Sequence, residues 1–470
     1  MRVIDRGGLG IAFVVSASRR LVGVVSDGDV RRALLKGAGL DEPVAGVMNK
    51  SPVSLPFGLA QQRLAWLSAD KKIAGRIPRE GTMAIPLCDS QGRVKSVFFA
   101  HSKEGVVASG KAPGRHQVLK KILVTGGAGY IGSVLVRQLL DKGYSVRVLD
   151  KLIYTDDGLK GLENYGEKFE FMRGDVLDVN TLSNAVKGVG AVVHFAEIVG
   201  DPATALDAEL TVANNIVAAG ALAQVCKYYQ VNRFVYASSC SVYGSADRDW
   251  VDENSELRPV SLYARAKLES EKAVLALADE NFQPTILRFA TVFGLSPRMR
   301  FDLVANVMAA DGVTQGRIRV SGGSQWRPLV HVSDVSRAVE LCLEKNLGQV
   351  GRQVFNVGSD EGNCTILGLA EKIKSALEKS GKKVYLDVAT ENRDARSYRV
   401  SFRKIRDKLG FRPSRSVAGA AAEIAAEFGK GKFGDYRHKK YSNFLSWRSE
   451  RGRLRRKISA ALSKLLPKFA

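Results

Sequence analysis

Between residues 120 and 415 the apolar positions alternate between short continuous runs and stretches with helical spacing, the two patterns that separate buried strands from amphipathic helices. Ile122, Leu123 and Val124 form such a run, and Ser133 to Lys142 follows with Val134, Leu135 and Leu139 on one face. The alternation continues through strands at Ser145–Asp150, Phe169–Arg173, Ala191–Phe195 and Arg233–Ala237. A long helix is predicted from about Leu206 to Tyr229, and another runs through Tyr263 to about Leu277. Strand and helix in strict turn predict an α/β doubly wound parallel sheet. The first hundred residues read differently. Strands Ile11–Val15 and Leu21–Val25 precede a helix from Asp27 to Lys36, and a similar order returns in a helix at Leu59–Leu67, strand Met83–Leu87, turn Asp89–Gly92 and strand Val94–Phe99. This predicts a smaller α+β module with an internal repeat. The boundaries expected are 1–105 for that module, 106–119 for a linker rich in Gly, Ser and Pro, 120–428 for the α/β domain and 429–470 for a basic tail.

With 470 residues, 45% of them hydrophobic, the chain can bury more than one core. No apolar run reaches membrane-spanning length, and the N-terminus lacks a charged-then-apolar export signal. Five scattered cysteines (Cys88, Cys226, Cys240, Cys342, Cys364) and five scattered histidines show no metal-ligand spacing, so a reducing cytoplasm is expected, with neither disulfides nor a metal site. The net charge of +23 is uneven: residues 430–470 hold thirteen Lys/Arg against Asp435 and Glu450. In the tail Leu454, Ile458, Leu462, Leu465 and Phe469 fall at helical spacing among Arg453, Arg455, Arg456, Lys457 and Lys464. Such a helix suits either an anionic membrane surface, at the inner face where glycan precursors are assembled, or docking on protein. Tyr441, Phe444 and Trp447 before it read as packing residues, and nucleic-acid binding is not expected, since no recognition fold accompanies the charge.

Gly126, Gly129 and Gly132 recur every third residue between the first strand and its helix. A strand, a glycine turn and a helix start present backbone N–H groups and a positive helix end to a phosphate. Gly126 permits the turn, Gly129 lets a pyrophosphate approach the backbone, and Gly132 lets the helix pack against the strand. The next strand ends in Asp150, 18 residues beyond Gly132. A carboxylate there accepts from ribose hydroxyls and repels a 2′-phosphate, which predicts NAD in preference to NADP. Asp175, in the strand-end loop Gly174-Asp-Val176, is placed to accept from an adenine amino group.

After the Arg233–Ala237 strand comes Ser238-Ser-Cys-Ser-Val-Tyr-Gly244, and then Tyr263-Ala-Arg-Ala-Lys267 on a helix. Tyr and Lys at i and i+4 share a face. An adjacent ammonium favours the phenolate of a tyrosine that would otherwise be a poor base at neutral pH. Ser239, Tyr263 and Lys267 thus form a set for carbonyl–alcohol redox chemistry. With Thr125-Gly-Gly-Ala-Gly-Tyr-Ile-Gly132, Gly174-Asp-Val176, Ser239-Cys-Ser-Val-Tyr-Gly244 and Tyr263-x-x-x-Lys267, residues 120–415 resemble an extended short-chain dehydrogenase/reductase of the NAD-dependent nucleotide-sugar epimerase/dehydratase family. The resemblance implies a Rossmann sheet with a smaller C-terminal substrate-binding part, NAD as cofactor, a nucleotide-diphosphate sugar as substrate and a homodimer. It implies that Ser239 holds the sugar 4-hydroxyl, that Tyr263 is the base, and that Lys267 also holds the nicotinamide ribose. It brings Tyr130, Ile131, Val176, Ala196 and Asn215 to the cofactor, the last as a supporting asparagine, and Ser241, Thr291, Arg327 and Arg396 to the substrate. The two arginines would clamp its diphosphate.

The family's 4,6-dehydratases carry Asp-Glu directly after the active-site hydroxyl residue, and its decarboxylating members resemble Thr-Glu-Glu there. Here Cys240 and Ser241 stand in those places, neither fit for acid–base work. Epimerisation at C4 is favoured over reduction of a 4-keto sugar, because Asp150 favours tightly held NAD; a non-catalytic nucleotide sensor is the remaining alternative. Thr291 replaces a frequent asparagine and Glu197 a small apolar residue near the cofactor, so Glu197 either reaches a sugar hydroxyl or points outward. The repeat in the first hundred residues resembles a pair of CBS (Bateman) modules. Gly23-Val-Val-Ser-Asp-Gly-Asp29 matches the segment in which, by that resemblance, Ser26 and Asp29 hold the ribose of an adenine nucleotide. By the same resemblance the first copy's leading helix is expected to be cut short, and the second copy has Phe99 and Ser102 at the equivalent places.

Overall fold

The computed structural model describes residues 11–39, 41–56, 82–101, 121–244, 250–389 and 396–449. The chain divides into two compact units, Met1–Gln117 and Val118–Ala470. In the first, Ile11–Val15 pairs antiparallel with Leu21–Ser26, and Thr82–Cys88 pairs antiparallel with Val94–His101, with Leu55–Pro56 alongside. The repeated strand–turn–strand pattern is therefore present twice. Ser26 caps the Asp27–Leu35 helix: its hydroxyl accepts from the backbone N–H of Asp29 and donates to the Asp29 carboxylate at 2.7 Å, while that carboxylate accepts from the Ser26 N–H. This reciprocal capping box and a 2.5 Å ion pair to Arg32 engage both groups that the resemblance assigned to a ribose. The predicted helix at 59–67, the linker, Ser102 and the amphipathic stretch beyond 449 lie outside the described residues.

The second unit is built on seven parallel strands: β1 (Lys121–Thr125), β2 (Ser145–Asp150), β3 (Phe169–Arg173), β4 (Ala191–His194), β5 (Arg233–Ser239), β6 (Gln283–Phe289) and β7 (Val354–Val357). Their order is β7-β6-β5-β4-β1-β2-β3. The order reverses between β1 and β4, and in such sheets ligands bind outside the carboxyl ends of the strands at that switch. Successive residues feed opposite faces: Ile122, Val124, Val193, Val235 and Leu287 pack on one side, Leu123, Val192, Phe234 and Ile286 on the other. Both layers are fully buried, which explains the continuous apolar runs.

A second core forms the smaller part. Helices Val304–Gln315, Ile366–Lys379 and Val417–Gly429 pack with the parallel strands Arg317–Ser321 and Tyr385–Ala389. Residues 430–449, expected to begin a separate tail, belong to this packing. Phe301 meets Phe433, Tyr436 and Tyr441 edge-on with ring centroids 5.1 to 5.7 Å apart, and Trp447 is buried against Ile198 and Ala203. The apolar residues of that stretch, not its charges, decide its position. Among the described residues no helix is long and apolar enough to cross a membrane.

Candidate active site

The glycine turn after β1 has the geometry its residues demand. Gly126 adopts φ +71°, where a side chain is strained, and a Cβ on Gly132 would lie 2.3 Å from the carbonyl oxygen of Gly126. A larger residue at 132 would push the Gly132–Asp141 helix off the turn. That helix begins without a side-chain cap, and Gly129, Tyr130, Ile131 and Gly132 at its start line the cleft, where the positive helix end favours an anion. Asp150 at the end of β2 accepts from Ala128 N–H at 3.0 Å and Leu152 N–H at 2.8 Å. Burial pushes its carboxyl above the usual range, opposed by these two N–H groups and by the charge of Arg298. Asp175 accepts from Leu177 N–H and is paired with Lys151 at 2.5 Å.

Ser239 closes β5 and caps the short turn Cys240–Tyr243, accepting from the N–H of Ser241 at 3.1 Å. The Leu262–Ala276 helix, capped by Ser261, buries Ala264 and Ala266, whose small side chains let it lie close to β5. Tyr263 and Lys267 are thereby carried to the strand ends. The Lys267 ammonium donates to the carbonyl of Ala237 and lies 5.9 Å from the Tyr263 ring centre. Gly126, Gly129, Gly132, Asp150, Asp175, Val176, Ala196, Ser239, Ser241, Tyr263, Lys267 and Thr291 all line one cleft of about 800 Å³, as do Tyr130, Ile131, Arg327 and Arg396.

Several assignments change on inspection. Asn215 does not line the cleft; fully buried in a π-helical turn, it accepts from the N–H of Ile198 and donates to its carbonyl, which fixes the loop after β4. Its role is support, and Asn214 beside it reaches the cleft wall. Tyr130 turns its hydroxyl away to the carbonyl of Gly294 and the side chain of Asn306. Arg396 is paired with Asp201 at 2.7 Å, and Arg327 donates to the carbonyls of Trp326 and Arg396, so a diphosphate would compete with these partners. Cys240 faces the carbonyl of Arg288, and burial pushes its thiol far up. Glu197 neither points outward nor waits for a hydroxyl: it is buried, 2.5 Å from the Lys267 ammonium, and accepts from Tyr236 at 2.6 Å.

Arg298 was not legible beforehand. It is 2% exposed, stacks 4.4 Å over the Tyr154 ring and donates to Asn443, while its Nε and Nη2 have no hydrogen-bond partner among the described residues. Burial and the neighbouring Arg300 push its guanidinium down to about 10. The cluster Arg298-Met-Arg300-Phe-Asp302 was a signal, but only the fold shows that Asp302 goes to Arg300 (2.8 Å) and leaves Arg298 to the cleft.

A helix start at a glycine turn, a cleft-lining acid at the end of β2 and a Ser–Tyr–Lys set at one switch point define a dinucleotide-dependent oxidoreductase-type site. The comparisons agree. Residues 122–358 match the NAD dependent epimerase/dehydratase family, and the chain belongs to that family. NAD is its cofactor, and the residues present fit it: Gly126, Gly129 and Gly132 of the turn line the cleft, and Asp150 stands on its wall. The chain is 32% identical over 320 residues to a dTDP-glucose 4,6-dehydratase of Streptomyces niveus, across 64% of this chain and 91% of the relative. It is 28% identical to a UDP-glucose 4-epimerase of Bacillus subtilis (strain 168), across 56% of this chain and 83% of that enzyme. Among solved structures, the UDP-glucuronic acid 4-epimerase from Bacillus cereus in complex with UDP-glucuronic acid and NAD is similar with a TM-score of 0.59 and 28% identity, covering 67% of this chain and 100% of that one.

Proposed function

We propose that the protein is an NAD-dependent epimerase that inverts C4 of a nucleotide-diphosphate sugar through a transient keto sugar. The observation that carries the choice is the wall beside Ser239. Water loss at C5–C6 needs an acid and a base there, and the two residues following Ser239 are a thiol turned to the Arg288 carbonyl and a serine on the cleft wall. The nearby carboxylate, Glu197, is engaged by Lys267 and Tyr236. Bound NAD supplies the hydride acceptor. The chain's own part is to hold the C4 hydroxyl at Ser239, take its proton at the Tyr263 oxygen and return it once the sugar has presented its other face. Asp150 supports tightly held NAD, as a cofactor regenerated in each cycle requires.

Substrate recognition is proposed at Thr291, Ser241, Arg327 and Arg396, with Arg298 as a further cation on the same wall. The family resemblance supports a homodimer. A nucleotide role for the first unit has less support, since Ser26 and Asp29 serve a helix cap. The test is incubation of the purified protein with UDP-, dTDP-, GDP- and CDP-hexoses, read by proton NMR at C4 and by absorbance of reduced cofactor. Interconversion of C4 epimers with no net reduced cofactor is expected. Stoichiometric consumption of added reduced cofactor would make it a 4-ketoreductase, and loss of water with a 6-deoxy-4-keto product a dehydratase.

A further inference from the structure

We infer that Glu197 is a positioning residue that keeps the Lys267 ammonium charged and aimed at the cofactor ribose. The inference rests on the reading of Tyr263 as the base that Lys267 assists. The Lys267 side chain is 5% exposed and that of Glu197 1%, with 2.5 Å between ammonium and carboxylate. A buried ammonium without a counter-charge is strongly disfavoured and tends to give up its proton. The Ala237 carbonyl accepts one of its three N–H donors, and Glu197 supplies the missing charge. Tyr236 on β5 holds the other carboxylate oxygen, and Asn215 anchors the adjoining Ile198 backbone on both its N–H and its carbonyl. The carboxylate is therefore fixed from two sides, in the loop between β4 and the helix that follows.

The surrounding groups leave this task to Glu197. From β4, His194 is buried with its Nδ1 on Thr125, and burial together with the nearby Lys267 charge pushes it down to about 3, so it is neutral and brings no counter-charge. From β5, the Tyr236 phenol is pushed well above its ordinary range by burial and by Glu197, so it stays protonated and donates. Glu271, one turn along the same helix from Lys267, is taken up by Arg288 on β6 and by Ser238. Tyr263, 5.9 Å away at its ring, is the group the ammonium serves. Asp201, further along the loop, is paired with Arg396.

Two readouts on the NAD-loaded protein test this. The Lys267 side-chain ¹³Cε resonance, assigned by its loss in Lys267→Arg, is followed against pH in the parent and in Glu197→Gln; kcat/KM for C4 inversion is followed over the same range. In Glu197→Gln the resonance is expected to titrate at least one pH unit lower, and the alkaline limb of kcat/KM is expected to move down with it, leaving a roughly tenfold loss on the alkaline side and little on the acid side. Tyr236→Phe should shift both in the same direction by less, and Glu197→Asp should restore part of the change. An unmoved resonance, or an even loss of activity at every pH, overturns the inference. Should no sugar be inverted while the resonance still shifts, the role of Glu197 stands and the proposed reaction falls.

Discussion

Glu271 and Glu197 are both buried carboxylates that meet a cation at the Leu262–Ala276 helix, yet one is saturated and the other is poised. Glu271 accepts from Nε and Nη2 of Arg288 at 3.0 and 2.7 Å and from the Ser238 hydroxyl, while Arg288 also donates to Tyr243. The planar guanidinium matches the carboxylate bidentately, and neither residue lines the cleft. Glu197 meets a point charge from one direction, and both it and Lys267 face the cleft. A bidentate, fully satisfied pair ties the helix to β6 and resists change. A single-contact pair on a cleft wall can share its ammonium with a ligand. Opposite charges thus serve as a strut in the pair away from the cleft and as a working part in the pair that lines it.

The comparison breaks most visibly at the group the second pair serves. Tyr263→Phe is expected to lower turnover by about 10²–10⁴-fold while leaving the thermal midpoint unchanged, as activity and melting measured on one preparation will show. The strut should behave the opposite way. Arg288→Met strands a buried carboxylate and should cost about 3–5 kcal/mol of stability by urea unfolding, and the molecules that remain native should keep the parent pH profile.

Acid sharpens the contrast further. The folded His194 titrates at about 3 and His331 at about 4, both below the ordinary 6.5, and burial is the main cause in each. The unfolded chain therefore takes up these protons first. Their contribution to stability is complete above about 6.5 and is lost as pH falls towards 3–4. Unfolding midpoints should drop across that window, and His194→Gln should flatten the slope. The smallest effect is expected in the first unit: Ser26→Ala removes a helix cap and should cost about 1 kcal/mol there, with C4 inversion unchanged.

Much of this was legible from residue order. The glycine spacing, the acid at the end of β2 and the Ser239–Tyr263–Lys267 set each depend on periods of strand and helix that sequence displays directly, and the strand bounds at Ser145–Asp150 and Phe169–Arg173 agree to the residue. What sequence hid were partners contributed by distant elements. Glu197 reads as an oddity until the fold brings Lys267 to it from 70 residues away. Ser26 and Asp29 read as ribose ligands because a capping box and that motif use the same residue types three apart. The stretch 430–449 reads as tail because its charges outnumber its aromatics, although Phe433, Tyr436, Tyr441 and Trp447 decide its burial. Arg298 emerges only once Asp302 is seen to serve Arg300.

The most direct measurement follows deuterium placed at C4 of the sugar nucleotide that the protein inverts, with no cofactor added. If Ser239, Tyr263 and Lys267 act on C4 with NAD retained through the cycle, the inverted sugar keeps its deuterium at C4 and none appears in water. Inversion accompanied by loss of the label to solvent would contradict the account, because the proton would then have been taken from carbon and not from the hydroxyl at Tyr263.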